Sequence, residues 1–183
     1  MGLELRMPPK AAARSGPAKG GQSRKDRRPA QPGRYKTIDP KHAQLLRDSF
    51  ATISAHGTIA GLIFYQKLFR YEPALRGMFH TGLEVQTRKL MEALEHTVAA
   101  IENPKTLVPT LEGLGRRHVT YGVQEVHYEL VIRALLETFK EVLDSNFTGQ
   151  VQELWREALD FVAQVMIRGA RKTQLRRANI GSL

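Results

Sequence analysis

His118 follows Leu107, Leu111 and Leu114 at spacings of four, three and four, the repeat that aligns side chains on one face of a helix. An imidazole on such an apolar face must find partners for its ring nitrogens. A metal is one of the few that keep it neutral there, the alternative being an ordinary core histidine. The chain of 183 residues contains no cysteine, which removes disulfides, zinc–thiolate sites, iron–sulfur clusters and cysteine nucleophiles together. Any metal must therefore be held by histidine, carboxylate or a cofactor. His42, His56, His80, His96 and His127 have no ligand spacing with one another and read as solvated.

The elements that position His118 are helical from Asp39 onward. Asp39-Pro40 reads as an N-cap followed by proline at the first helical position, and His56-Gly57 as the stop of that helix. A second helix, about 58–71, puts Leu62, Tyr65, Leu68 and Phe69 on one face; Pro73 then opens a turn running to Phe79. A third, about 84–102, aligns Leu83, Gln86, Leu90, Leu94, Val98 and Ile101 before Asn103-Pro104 breaks it. The His118 helix follows. Two longer helices, about 124–144 and 148–172, are expected to bury Val131, Leu135 and Phe139, then Leu154, Trp155, Ala158, Phe161 and Val165. No stretch alternates with the period of two that a sheet requires. The fold class is all-α.

The formal net charge of +10 is unevenly distributed. Residues 1–38 carry a net +8 and residues 168–183 a net +5, which leaves 39–167 at −3. Residues 1–38 hold Pro8, Pro9, Pro17, Pro29 and Pro32 with few apolar side chains, too little to offset ordering entropy, and are expected to be a disordered basic tail. That tail reads either as a solvated segment, with Met7 or a later residue as an alternative start, or as an electrostatic tether to nucleic acid or anionic membrane. Residues 39–172 then form the folded domain, and 173–183 a short basic tail. No apolar run approaches the roughly 20 residues of a membrane span, and no secretion signal, phosphate loop or repeat is present. A soluble, cytoplasmic protein is the expectation.

The run from Phe64-Tyr65 through Pro73 and Phe79, then Gln86 to Leu90, Ile101-Glu102-Asn103, and Leu114-Gly115-Arg116-Arg117-His118 through His127-Tyr128 resembles the globins. It is most similar to single-domain bacterial globins and the globin domain of flavohaemoglobins, over about residues 39–170, with a short deletion between Phe79 and Gln86. The resemblance implies a helical sandwich around haem b, iron protoporphyrin IX. His118 would be the proximal iron ligand, and Leu114 lies one turn before it. Phe79 would wedge against the porphyrin, with His80, Arg116 or Arg117 as candidate propionate partners. Tyr65 and Gln86 would be distal hydrogen-bond donors, with Leu90 the apolar residue beside the ligand. A phenol and an amide favour a ligand that gains negative charge, as oxygen does, over carbon monoxide.

Tyr128 matches a tyrosine that in flavohaemoglobins neighbours the proximal histidine together with a glutamate. The chain departs there: the matching position, fifteen after Trp155, is Ala170. Without that carboxylate the imidazole should push less electron density toward iron, which weakens the analogy with flavohaemoglobin turnover. The resemblance implies a gas binder for O2, NO and CO, for reversible oxygen binding or transport, or for converting oxygen and nitric oxide to nitrate with a separate flavin and NAD(P)H reductase. A haem-based sensor or regulator tethered by its basic tails is the second reading.

Overall fold

The computed structural model describes residues 38–79 and 81–180, with side chains through Leu175. The chain divides at Arg34, and the described helices all lie in the unit Tyr35–Leu183. The expected tail, apart from Ile38, lies outside the described residues, as do His80 and residues 181–183.

Six α-helices succeed one another among the described residues: α1 (Pro40–Ala55), α2 (Gly57–Tyr71), α3 (Leu83–Ala100), α4 (Pro104–Thr120), α5 (Glu125–Leu143) and α6 (Gly149–Ile180). Short 3-10 turns at Pro73–Met78 and Asp144–Asn146 join α2 to α3 and α5 to α6. No described residue is in a strand. The Asp39 carboxylate accepts the Lys41 amide at 2.9 Å, the N-cap that its sequence position predicts.

The core forms where α1, α5 and α6 meet. Trp155 of α6 is only 1% exposed; its ring centroid lies 4.6 Å from Phe139 of α5 and 6.4 Å from Phe50 of α1. Its Nε1–H donates to Ser49 Oγ at 3.0 Å, which satisfies the indole donor that burial would otherwise orphan. None of the described helices is long and apolar enough to cross a membrane.

Several expectations are corrected. Leu62 is 52% exposed, because α2 turns its Tyr65–Leu68–Phe69 edge inward and Leu62 lies beyond it. Leu83, at the first residue of α3, is also exposed; the buried stripe begins at Thr87 and continues through Leu94 and Val98. Gly57 opens α2 instead of closing α1, and the chain turns at His56 alone. Val131 and Phe161 are half-buried; Ile132 takes the interior position in α5, whereas Leu154, Trp155, Ala158 and Val165 of α6 are buried as expected. The last helix, expected to stop near residue 172, continues to Ile180, since no glycine or proline lies between Ala170 and Gly181.

Candidate functional site

Nδ1 of His118 lies 2.9 Å from the carbonyl oxygen of Leu114, one turn earlier in α4. A carbonyl can only accept, so Nδ1 carries the hydrogen and Nε2 keeps its lone pair free. Burial holds the His118 pKa below its ordinary value; the Leu114 carbonyl opposes this and the Arg117 charge reinforces it. The ring is therefore a neutral imidazole with one nitrogen assigned and the other available as a donor to a metal.

Helix α4 ends at Thr120, two residues after His118. Val123 N–H donates to the His118 carbonyl at 3.1 Å and Gly122 N–H to that of Val119 at 3.2 Å, with Gly122 at φ 80°. This left-handed glycine cap fixes His118 in the last helical turn. The chain reverses into α5, whose Tyr128 ring stacks at 6.3 Å on the imidazole, while the exposed Tyr121 stands edge-on at 6.0 Å. The Tyr128 hydroxyl is buried without a hydrogen-bond partner, and burial and the Glu125 charge raise its pKa. At Ala170, itself buried, no carboxylate is present to receive that hydroxyl.

A second group of residues gathers around Tyr65. It is 4% exposed, and burial pushes its hydroxyl pKa up to about 12, so the phenol retains its proton and acts as a donor at neutral pH. Its ring meets Phe64 at 4.8 Å, Phe79 at 5.3 Å and Phe69 at 5.8 Å. Phe79, half-buried, caps the Pro73–Met78 turn, and that turn delivers it to Tyr65. An open depression of about 330 Å³ lies beside it, lined by Phe69, Arg76, Phe79, Thr81, Gly82 and Leu83.

Gln86 stands in the first turn of α3 and donates from Nε2 to Thr81 Oγ1 on the exposed side of the helix. Leu90, one turn later, is half-buried against the core, as is Leu114. The structure thus brings Tyr65 to Phe79 and His118 to Leu114 and Tyr128, while Gln86 is engaged by Thr81. That partner carries no sequence signal, because a threonine before a helix reads as an ordinary cap residue. Arg116 and Arg117 are exposed. His42, His56 and His96 are exposed as well, and His127 accepts the Gln124 amide in a helix cap.

Among the described residues no three His, Asp or Glu side chains converge to hold an ion. A metal at His118 would accordingly take its other ligands from a cofactor. The family model of the globins matches residues 62–166.

The chain belongs to the globin family. It is 30% identical over 133 residues to the flavohemoprotein of Vibrio cholerae, covering 71% of this chain and 34% of that protein. With the flavohemoprotein of Halalkalibacterium halodurans it shares 26% over 140 residues, 74% of this chain and 34% of the other. The globin therefore spans about a third of the length of these curated relatives. Among solved structures it is similar to an engineered carbene transferase derived from a Rhodothermus marinus protein assigned as a nitric oxide dioxygenase. The TM-score is 0.66 and the identity 30%, covering 79% of this chain and 99% of that one. A hexacoordinated heme protein from a tardigrade shares the fold, at TM-score 0.67 and 20% identity over 73% and 96% of the two chains.

Membership implies haem, and the residues of this globin fit it. A neutral histidine with its Nδ1 hydrogen already committed is the donor that ferrous or ferric iron requires. The aromatic edge at Phe79 and the half-buried Leu90 and Leu114 would offer a porphyrin apolar surface.

Proposed function

We propose that this globin holds haem b through His118 Nε2 and binds oxygen, nitric oxide and carbon monoxide at the opposite face. The observation that carries the reading is the His118–Leu114 hydrogen bond, which selects the tautomer and aims one free nitrogen away from the helix. Haem, when bound, supplies an iron centre that takes up a diatomic gas. The protein residues do the rest. Leu114 orients the imidazole, Phe79 holds a porphyrin edge, and Leu90 keeps water from the ligand. Tyr65 is the principal distal donor, because its buried O–H stays protonated and meets a ligand in a medium where hydrogen bonds to charge are strong. Gln86 is a second donor when its amide leaves Thr81.

Nitric oxide oxidation is the enzymatic role we propose, supported by the name of the Rhodothermus relative. One nitric oxide, one dioxygen and one electron yield one nitrate. The electron would come from a flavin and NAD(P)H reductase acting on this globin.

Absorption spectra of the purified protein with haem, in ferric, ferrous and oxygenated forms, test the reading beside His118→Ala. A strong Soret band and a stable oxygenated spectrum, both lost in the variant, are expected. Haem binding that is unaffected by His118→Ala would overturn the assignment of the ligand.

A further inference from the structure

We infer that Thr81 is an outward latch for Gln86 and thereby sets how readily this globin releases oxygen. The inference rests on the haem reading above and adds a residue to it. Thr81 lies on the rim of the depression beside Phe79 and Leu83, immediately before Gly82, the N-cap of α3. The Gln86 amide nitrogen donates to the Gly82 carbonyl at 3.2 Å, so the first turn of α3 is formed and the Gln86 backbone is fixed. Only its side chain can move.

That side chain has two neighbourhoods. Outward, its Nε2 donates to Thr81 Oγ1 in solvent-exposed surroundings. Inward, it shares a face with Leu90, one turn later and half-buried against the core. An amide whose Nε2 sits at Thr81 is not beside Leu90, so the two positions exclude each other. Thr87, next on the helix, cannot serve as a substitute partner: its side chain is buried against Gly61, where an added Cβ would lie 2.1 Å from Thr87 Cγ2. Thr81 therefore biases a two-position equilibrium against the donor that a charged ligand would use.

An exposed neutral hydrogen bond is modest in net strength, so the bias it exerts is about three- to tenfold. Removing the Thr81 hydroxyl releases Gln86 inward, and oxygen should leave more slowly. Carbon monoxide, which gains little charge on binding, should respond little. This sign is opposite to that of removing a distal donor, and a threonine acting only as a structural cap would not produce it.

The test is Thr81→Val, nearly isosteric but without the hydroxyl, in the haem-loaded ferrous protein with oxygen and carbon monoxide as probes. Oxygen dissociation is expected to slow by about three- to tenfold and carbon monoxide dissociation to stay within about twofold. The infrared C–O stretch of the carbon monoxide complex should shift population toward its lower-frequency, polar-contact band. Thr81→Ser should behave as the parent, and Thr81→Val should have no effect in a Gln86→Leu background. Unchanged oxygen release in Thr81→Val, or an effect that persists with Gln86→Leu, overturns the latch while leaving the haem reading intact. A parent protein that forms no Soret band overturns the haem reading itself, and the latch with it.

Discussion

A Cβ added to Gly115 in α4 would lie 1.9 Å from the backbone carbonyl oxygen of Met166 in α6. The approach is reciprocal: a Cβ on Gly169 of α6 would lie 2.3 Å from the Glu112 carbonyl oxygen. Glu112 is also clamped by Arg168 Nε at 2.7 Å and Lys172 Nζ at 2.9 Å. Burial would raise its pKa, but the hydrogen bonds from Lys172 and Arg168 bring it below the usual value. The helix bearing His118 thus rests backbone-to-backbone on α6, three residues before that histidine.

Gly115→Ala should therefore lower stability by at least about 1–3 kcal/mol, since the obstructing atom is a main-chain carbonyl that cannot rotate away. Gly113→Ala in the same helix is the control. There the added carbon would meet only the mobile ends of Arg116 and Arg117, at 3.5 and 3.9 Å, and helix propensity favours alanine by about 0.5–1 kcal/mol. Thermal unfolding of the two variants should move in opposite directions; equal shifts would refute the close-contact account.

Tyr65→Phe should speed oxygen release by about 10- to 100-fold, the loss of one hydrogen bond to a charged acceptor of about 1.5–3 kcal/mol. Carbon monoxide release should change much less. Stopped-flow replacement of one gas by the other measures both rates, and equal acceleration would mean that the hydroxyl does not reach the ligand.

Tyr128→Phe should leave stability unchanged or raise it by up to about 1–2 kcal/mol, because the buried hydroxyl has no partner to lose. A loss of more than about 1 kcal/mol in denaturant unfolding would reveal a hydrogen bond to that hydroxyl.

Burial raises the Tyr65 pKa from 10.0 to about 12. The folded state thus holds this proton more tightly than the unfolded chain does. Its contribution is fully present below pH 10 and is lost as pH rises from 10 through about 12. About 2–3 kcal/mol should disappear over that window, as two pKa units imply. Unfolding free energies at pH 9 and pH 12 check this, and Tyr65→Phe should show a smaller drop than the parent.

Much of the site is legible along the chain because its signals are local. The Leu107–Leu111–Leu114–His118 spacing marks a helical face, and the same turn that aligns these residues also lets the Leu114 carbonyl receive Nδ1. The Asp39 cap likewise depends only on neighbours two residues apart. Burial is less legible. Leu62 belongs to the right periodic stripe, yet the angle at which α2 meets its neighbours leaves it in solvent.

By itself, the sequence determined the helices, the histidine that ends an apolar stripe, and the absence of a carboxylate at Ala170, since these follow from residue identity and spacing. Only the tertiary structure decided that Gln86 pairs with Thr81, that the Tyr128 hydroxyl is left without a partner, and that Gly115 and Gly169 let two backbones touch. Each depends on where separate segments come to rest in three dimensions. Hydrogen bonding and steric exclusion act over a few ångströms of space, whatever the distance along the chain.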